Sequence, residues 1–368
     1  MGLFGPKKQS YLGVDLGAGG IKLVELQNEK GRARLFTYGF TERTPESQPT
    51  NLVDSPKETA ELLKKMVQKA KTSTMRTVAG LPIASVFSSV ITVPKGSERE
   101  VREAIQWQAK KLIPVPLEEM VLDPKIITTP GEKAKASAAP AAKGEIKKDE
   151  QKSIQVLITG ASKSMVGKYT AVFKQAGLEL VSLETEAFAL IRALIGKDRS
   201  TTMIVDIGSI RTNIIIVENG IPYVTRSLDM GGVTLTKAMS KALSMDMKNA
   251  ESMKNDIKSV STLYPGEGLP KIFETSIAPM LTELQYSMNL YIGQGDQRTG
   301  KTIEKIILTG GSAALPSIAG FFAKQLNIKV YLGDPWARVV YPDDLRPVLE
   351  EIGPRFAVSV GLAMRDIE

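Results

Sequence analysis

Two separate groups of residues combine an acid with a glycine-containing turn, and both have the composition of a phosphate-binding site. In the first, residues 11–26, Asp15 lies in an apolar run, the turn at 17–20 reads GAGG, and Lys22 follows the turn. The glycines allow positive φ and leave backbone N–H groups free for an anion, Lys22 adds positive charge, and Asp15 could hold a metal ion through water. An ordinary tight hairpin that happens to carry an acid and a lysine would have the same sequence pattern. This stretch alone therefore does not distinguish such a hairpin from a phosphate-binding turn.

The second group, residues 202–219, repeats the order of apolar strand, acid, glycine-containing turn and apolar strand. When the acids are aligned, Asp206 falls on Asp15 and Gly208 falls on Gly17. An internal duplication of this kind predicts two similar half-molecules that face one cleft. The repeat therefore favours a pair of phosphate-binding turns over two unrelated hairpins.

The composition restricts the chemistry that such a site could perform. The chain has no cysteine and no histidine, which excludes disulfides, thiol nucleophiles, serine–histidine triads and the common zinc ligand sets. Carboxylates, lysines, hydroxyls and backbone groups are left, and these suit phosphate and magnesium. The net charge of +8 is scattered, without a basic stripe interleaved with aromatics, so we expect no nucleic-acid ligand. No apolar run approaches the roughly 20 residues that span a bilayer and no signal peptide is evident, so we expect a soluble, cytoplasmic protein.

The first half of the chain predicts the order β-β-β-α-β, followed by an inserted unit. Two helices have capping-box starts, with Ser55 and Glu58 in one and Ser97 and Glu100 in the other. Residues 84–172 read as a small α+β unit inserted into a larger domain. Within it, residues 130–152 are dominated by Ala, Lys, Glu, Pro and Gly, which predicts a flexible loop to which we assign no function.

A phosphate-loop pattern in the second half is expected to be misleading. Residues 295–302 match G-x-x-x-x-G-K-[ST] letter for letter. The motif works only with a strand before the loop and a helix after it, because the loop amides and the helix dipole must converge on the phosphates. Here an amphipathic helix at 273–292 precedes the pattern and a strand at 303–308 follows it. We therefore interpret this segment as a solvated turn between helix and strand.

The duplicated Asp–Gly turns, together with a T-G-G-S sequence before a helix, resemble the actin/Hsp70/hexokinase ATPase superfamily. The stretches that carry the resemblance are phosphate-1 at 15–22, phosphate-2 at 206–212, the adenosine motif at 308–312, the connecting segments at 184–189 and 358–361, and an A-E-x-x-K sequence at 250–254. The resemblance implies an α/β, actin-like (ribonuclease H-like) fold made of two duplicated domains.

Within this superfamily the chain is most similar to the PilM family of type IV pilus assembly proteins, which are relatives of FtsA. The similarity is carried by the start MGLFGPKK, by residues 104–109, 113–116 and 121–124, and by the position of the inserted α+β subdomain. FtsA is the near alternative. It is expected to end in a linker and an amphipathic membrane helix, whereas this chain ends at residue 368, and we therefore favour the PilM family.

The resemblance also implies how the chain divides into subdomains. Subdomain IA is expected at 1–83 and 173–200, and the inserted subdomain IC at 84–172. Subdomain IIA is expected at 201–232 and 302–345, with IIB at 233–301. Residues 346–368 would form a C-terminal helix that returns to IA.

By resemblance, ATP with Mg²⁺ lies between the two halves. Asp15 and Asp206 would hold the hydrated metal, and Glu186 would orient the attacking water, with Glu184 as a less favoured substitute. Glu186 could equally be an acid at a helix N-terminus, where the helix dipole favours negative charge. The residues expected to contact the nucleotide are Gly17, Ala18, Gly19, Gly20, Lys22, Gly208, Ser209, Thr212, Gly231, Gly232, Glu251, Lys254, Gly310, Gly311 and Ser312.

Two departures from the superfamily pattern favour nucleotide binding without efficient turnover: the first turn has no hydroxyl, and Arg211 lies in the second. The resemblance thus implies an ATP-binding scaffold, at most a slow ATPase, which binds the N-terminal cytoplasmic peptide of PilN near the inserted subdomain. Such a protein would lie at the inner membrane through its partners, could contact other pilus platform or motor proteins, and could form a homo-oligomer. The alternatives are an FtsA-like division protein, a filament-forming bacterial actin, and a sugar-kinase-type phosphotransferase.

Overall fold

A computed structural model gives the structure of residues 9–42, 52–127, 153–256, 271–293 and 301–367. The MGLFGPKK start and the loop predicted at 130–152 lie outside these residues. The chain divides into two compact units, Met1–Ala84 with Gly167–Glu368, and Ser85–Val166. The subdomain boundaries expected within the first unit stay predictions.

The strands of the described residues form three sheets, with orders β14-β3-β2-β1-β4-β8, β11-β10-β9-β12-β13 and β5-β7-β6. In chain order they are β1 (Ser10–Gly17), β2 (Gly20–Glu29), β3 (Arg32–Phe40), β4 (Arg76–Leu81), β5 (Val86–Pro94), β6 (Met120–Ile127), β7 (Ser153–Ser162), β8 (Glu179–Thr185), β9 (Thr202–Ile207), β10 (Thr212–Glu218), β11 (Ile221–Leu228), β12 (Lys305–Thr309), β13 (Lys329–Leu332) and β14 (Val339–Val340).

The helices complete the two units, and in the described ranges none is long and apolar enough to cross a bilayer. In chain order they are α1 (Pro56–Ala70), α2 (Glu98–Leu112), α3 (Lys163–Ala176), α4 (Glu186–Leu194), α5 (Gly232–Leu243), α6 (Met247–Asn255), α7 (Lys271–Gly293), α8 (Ile318–Leu326), α9 (Arg346–Ile352) and α10 (Ala357–Ala363).

The two larger sheets repeat one topology. Strands β1–β3 and β9–β11 are both antiparallel meanders. The first strand of each meander pairs in parallel with β4 or β12, which in turn pairs in parallel with β8 or β13. In the two hairpins the register places Asp15 opposite Lys22 and Asp206 opposite Asn213. The duplication predicted from the two acids is therefore present in the fold.

Helices α4 and α10 approach each other so closely that one position must lack a side chain. A Cβ on Gly361 in α10 would lie 1.9 Å from the carbonyl oxygen of Ala189 in α4. On the other side of α10, a Cβ on Gly13 of β1 would lie 2.1 Å from the carbonyl oxygen of Ser359. Apolar residues of both helices are buried in a core that also includes β4, β9 and β10. This packing fixes the start of α4, where Glu186 lies.

The unit Ser85–Val166 has its own sheet, β5-β7-β6, and its own apolar core, which includes residues of α2. The capping box that starts α2 is confirmed, because Ser97 N donates to Glu100 Oε2 at 2.7 Å and Ser97 Oγ accepts from Glu100 N. The hydrogen bonds that Ser97 donates to Glu100 Oε2, from its backbone N–H and from its hydroxyl, hold the pKa of the Glu100 carboxyl below its ordinary value. The unit Ser85–Val166 thus combines helix and sheet, and the bounds 84–172 expected for subdomain IC stay a prediction.

Two local predictions are wrong. The predicted helix start is confirmed, since Ser55 is the N-cap residue of α1 and Pro56 begins it, but the predicted capping box is absent. The Ser55 side chain makes no capping hydrogen bond, because its backbone (φ −116°, ψ 70°) lacks the extended geometry found at Ser97 (φ −61°, ψ 159°). The sequence from Glu184 onward predicts a helix that opens at this residue, but β8 continues to Thr185 and α4 begins at Glu186. Strand pairing of β8 with β4 therefore extends past the boundary that the helix-start pattern indicated.

The phosphate-loop pattern has the structural context that was predicted for it. Helix α7 precedes it, strand β12 follows it, and residues 294–300 lie outside the described ranges. Lys301, the lysine of the pattern, pairs with Glu218, which also accepts a 2.8 Å hydrogen bond from Tyr291. This lysine thus holds a contact with β10 and is not presented by a helix N-terminus.

The close approach of α10 to α4 yields a stability prediction. Gly361→Ala should lower the free energy of unfolding by about 1–3 kcal/mol, because its new methyl group meets backbone that cannot move aside. Gly320→Ala in α8 is the matched control, since a Cβ there meets nothing within 4 Å and alanine favours the helix by about 1 kcal/mol. Urea unfolding of both variants measures the difference. Equal stability of Gly361→Ala and wild type would contradict the packing described here.

Candidate functional site

The first hairpin places an acid and a lysine side by side near its turn. Lys22 Nζ lies 3.3 Å from Asp15 Oδ2 and 3.2 Å from the carbonyl oxygen of Gly20. Gly20 has a φ of +129°, and a Cβ there would lie 1.9 Å from the carbonyl oxygen of Thr41, so the turn requires glycine. The hairpin therefore presents Asp15, which is 7% exposed, together with a compensating cation.

The second hairpin places an amide where the first has the lysine. Asn213 Nδ2 donates to Asp206 Oδ2 at 3.2 Å. The turn is closed by Gly208, whose N–H donates to the carbonyl oxygen of Arg211 at 2.9 Å. Arg211 itself pairs with the largely exposed Asp229, at 2.7 Å. The arginine that departs from the superfamily pattern is thus engaged by a surface carboxylate.

The second turn is docked on the beginning of α5. The carbonyl oxygens of Gly208 and Ser209 accept hydrogen bonds from the N–H groups of Gly232 and Val233, at 2.9 and 2.8 Å. The buried hydroxyl of Thr212 donates to the carbonyl oxygen of Met230 at 2.8 Å. The predicted ligand Thr212 therefore already holds the segment that leads into α5.

The turns of the two hairpins touch each other. A Cβ on Gly19 would lie 3.0 Å from Ser209 Cβ, which leaves no room for a larger residue at Gly19 without movement. The contact brings the turn 17–20 of the first half against the turn 208–211 of the second half. The two acids are close enough for the negative charge of Asp15 to raise the pKa of Asp206.

Glu186 completes the site from the first turn of α4. It is 9% exposed, and its Oε2 accepts hydrogen bonds from Ile83 N at 3.3 Å and from Asn213 Nδ2 at 3.5 Å. Burial raises the pKa of the Glu186 carboxyl well above its ordinary value, and the negative charges of Asp15 and Asp206 raise it further. The structure thus brings together the three carboxylates that the sequence singled out.

Asp206 responds to the same surroundings. Burial raises its pKa to about 6, although the hydrogen bond from Asn213 opposes the shift. The negative charge of Asp15 adds to the shift, and Lys22 reduces it. A site with this balance of charge favours a cation or an additional proton.

Glu184, the second glutamate singled out from the sequence, has a different environment. Its carboxylate pairs with Arg192 through two contacts of 2.7 and 3.0 Å, and Arg192 also donates to the carbonyl oxygen of Gly361. This bidentate pair ties β8 to α4 and α10. Glu184 is therefore committed to a structural ion pair, whereas Glu186 faces the other two acids.

Sequence reasoning missed Tyr169 and Asn213. Tyr169 in α3 is 1% exposed. Burial raises the pKa of its phenol well above the ordinary value, and the nearby charges of Glu186 and Asp15 raise it further. Tyr169 reads as a core aromatic and gave no signal in the sequence. Asn213 could have been found, because alignment of the two hairpins puts it at the position of Lys22.

A second polar cluster lies between α5 and α6. Lys254 Nζ donates to Glu251 Oε2 at 2.7 Å, to the hydroxyl of Thr236 at 2.8 Å and to the carbonyl oxygen of Gly232 at 3.2 Å. Burial lowers the pKa of Lys254, against the effect of Glu251. Burial also opposes ionisation of Glu251, but the charge of Lys254 and its hydrogen bond outweigh this effect and lower the pKa of Glu251.

The predicted adenosine motif borders this cluster. A Cβ on Gly232 would lie 2.6 Å from Ser312 Oγ and 3.2 Å from Lys254 Nζ. Gly310 has a φ of +87°, and a Cβ there would lie 2.6 Å from Asp206 Oδ1. Gly311 follows it and starts a 3₁₀ turn, Gly311–Ala314. The adenosine motif therefore lies next to the second cluster through Ser312 and next to Asp206 through Gly310.

These residues fit magnesium and a phosphorylated ligand. A Cβ on Gly17 would lie 3.1 Å from Lys22 Nζ and 3.3 Å from Asp15 Oδ1, so the glycine leaves space beside both charges. Within the described ranges, no group of three or more acids is arranged to hold a metal ion. Asp15 and Asp206 supply carboxylate oxygens, and one or two carboxylates are the usual protein ligands of an Mg²⁺ ion that keeps several of its waters.

Three comparisons relate this geometry to known proteins. A family model described as type IV pilus assembly protein PilM matches residues 13–367. A solved PilM–PilN type IV pilus biogenesis complex aligns with a TM-score of 0.78 and 25% identity, and covers 98% of this chain and 100% of that chain. MreB5 of Spiroplasma citri bound to ADP aligns with a TM-score of 0.50 and 13% identity, covers 98% and 97% of the two chains, and supports the fold alone.

Cell division protein FtsA of Bacillus subtilis (strain 168) is 24% identical over 197 residues, which cover 49% of this chain and 44% of that protein. The chain thus spans about half the length of the curated relatives that it matches. The PilM match extends over nearly the whole chain and includes both hairpins, the inserted unit and α10. The chain belongs to the PilM family of type IV pilus assembly proteins and has their actin-like α/β fold.

Proposed function

We propose that this protein is an ATP-binding scaffold of the type IV pilus platform that binds the N-terminal cytoplasmic peptide of PilN. The observation that carries the nucleotide part is the convergence of Asp15, Asp206 and Glu186, with Lys22, where two glycine-containing turns meet. The carboxylates suit Mg²⁺, and the lysine with the backbone N–H groups of the turns suits phosphate groups.

The two turns would hold the phosphates from opposite sides. Backbone N–H groups of the turn 17–20 and of Ser209 would donate to phosphate oxygens, and Lys22 would add positive charge. Asp15 and Asp206 would hold the hydrated Mg²⁺, which would neutralise phosphate charge. The adenosine would lie along the second cluster, next to Gly231, Gly232, Glu251, Lys254, Gly310, Gly311 and Ser312.

The surroundings of Glu186 favour binding over rapid hydrolysis. A glutamate that orients an attacking water must be ionised to accept its proton. Burial and two neighbouring acids raise the pKa of Glu186 and so favour its protonated form. The first turn also supplies no hydroxyl. We therefore propose a slow ATPase at most, and no residue of the site suggests a sugar-kinase-type reaction.

The partner is proposed from the solved PilM–PilN complex. The alignment with this complex covers 98% of the present chain and 100% of the matched chain. This chain would bind a PilN peptide near the unit Ser85–Val166 and would reach the inner membrane through that partner. Nucleotide in the site would stabilise the conformation in which both turns contact one ligand. An FtsA-like or filament-forming role is the second candidate, since FtsA is a relative over about half of the chain.

Gly17→Ala tests the nucleotide site. Its methyl group would occupy the space beside Lys22 and Asp15, so we expect the affinity for Mg·ATP to fall about tenfold, equivalent to 1.4 kcal/mol. Gly320→Ala, whose methyl group meets nothing within 4 Å, should bind as wild type. Titration calorimetry measures both affinities. Unchanged binding by Gly17→Ala, or no binding by wild type, would contradict the proposed site.

The partner assignment is tested with a synthetic peptide of the PilN N-terminus. We expect the peptide to bind the wild-type protein, and to bind more tightly when Mg·ATP is present, because both ligands favour one conformation. A scrambled peptide of the same composition is the control. Titration calorimetry that detects no binding, with or without nucleotide, would remove the PilN assignment while leaving the nucleotide site intact.

Asp206→Asn should change the pH dependence of stability in metal-free protein. The pKa of Asp206 rises from the ordinary 3.8 to about 6 on folding, so its ionisation destabilises the native state as pH rises through this window. The variant should therefore be more stable than wild type at pH 8 by about 1–3 kcal/mol, and similar to it near pH 4. Unfolding midpoints in EDTA measure this difference. A variant that is less stable at pH 8 would refute the electrostatic interpretation.

A further inference from the structure

Asn213 lies between carboxylates from two different elements. Its Nδ2 lies 3.2 Å from Asp206 Oδ2 on β9 and 3.5 Å from Glu186 Oε2 on α4. The side chain is 9% exposed. An amide nitrogen carries two hydrogens, and the two carboxylate oxygens can each accept one of them.

Ser227 determines which way the Asn213 amide faces. The two residues are paired across β10 and β11, and Ser227 Oγ lies 2.9 Å from Asn213 Oδ1. The serine hydroxyl can donate to the amide oxygen, which leaves the amide nitrogen turned to the acids. A neighbour on an adjacent strand thus fixes the orientation of this amide.

The comparison between the two hairpins shows what an amide achieves at this position. Lys22 occupies the equivalent position in the first hairpin and neutralises Asp15 through an ion pair. Asn213 orients Asp206 without removing its charge. A second lysine would compete with a bound cation, and an acid would repel both carboxylates.

The same amide also orients Glu186. Both of the contacts made by this carboxylate, with Ile83 N at 3.3 Å and with Asn213 Nδ2 at 3.5 Å, fall on Oε2. The other oxygen, Oε1, is therefore the one that can accept from a ligand or its water. Ile83 fixes the carboxylate from the first half of the molecule, and Asn213 fixes it from the second half.

We propose that Asn213, held by Ser227, is a positioning residue that orients Asp206 and Glu186 toward the magnesium ion and phosphates of a bound nucleotide. This inference rests on the proposed nucleotide site. It assigns to the second hairpin an uncharged counterpart of the Asp15–Lys22 pair. The two hairpins thus differ in function, since one neutralises its acid and the other leaves its acid available to a cation.

The test measures ATP affinity in EDTA and in Mg²⁺ and takes the ratio of the two, which is the gain in affinity that the metal provides. A residue that positions the metal ligands should affect this gain. Asn213→Ala and Ser227→Ala should each reduce this gain about tenfold, as is typical when a residue that orients a metal ligand is lost. The double variant should lose no more than either single variant, because both act through one amide. Ser227→Thr, which keeps the hydroxyl, should retain the gain, as should Asn289→Ala on the exposed side of α7.

A second measurement requires no nucleotide. Asn213→Asp places another carboxylate against Asp206 and Glu186, so its thermal midpoint in EDTA at pH 8 should fall below that of wild type, and added MgCl₂ should recover part of the loss. Three results would each overturn the inference. They are an Asn213→Ala variant that gains as much ATP affinity from Mg²⁺ as wild type, a double variant in which the losses of the two single variants add, and an Asn213→Asp variant whose thermal midpoint is unchanged. Failure of the wild-type protein to bind ATP would overturn the proposed function and this inference together.

Discussion

Repulsion among three buried or half-buried carboxylates is the constraint on which this site depends. Burial raises the pKa of Glu186 and of Asp206, and the negative charge of Asp15 raises both further. The fold offsets the repulsion with Lys22 and with hydrogen bonds from Asn213 and a backbone N–H. This compensation is incomplete, and a bound cation would complete it.

The features that could be predicted from the sequence are those encoded by local patterns or by repetition. Alignment of Asp15 with Asp206 predicted two matching sheets, because the same apolar and glycine spacing specifies the same hairpin twice. The helix before the phosphate-loop pattern and the strand after it were predicted correctly, since both elements are themselves strongly patterned. In each case the decisive information is a local sequence pattern, either in one short stretch or in two stretches that repeat each other.

Features that depend on contacts between distant elements could not be predicted in this way. Tyr169 reads as a core aromatic, and only tertiary packing places it beside two acids. The pairing of Glu184 with Arg192 required the extension of β8 and the position of α10. The side chain of Ser55 lacks its capping bond because the chain enters α1 with a backbone conformation that the residue types do not reveal.

The central claim is that the turns 17–20 and 208–211 hold one ligand together. Hydrogen–deuterium exchange of the wild-type protein, with and without Mg·ATP, tests this claim most directly because it reports on each turn separately. We expect nucleotide to slow exchange in both turns at the same nucleotide concentration. Slower exchange in only one turn, or in neither, would contradict it.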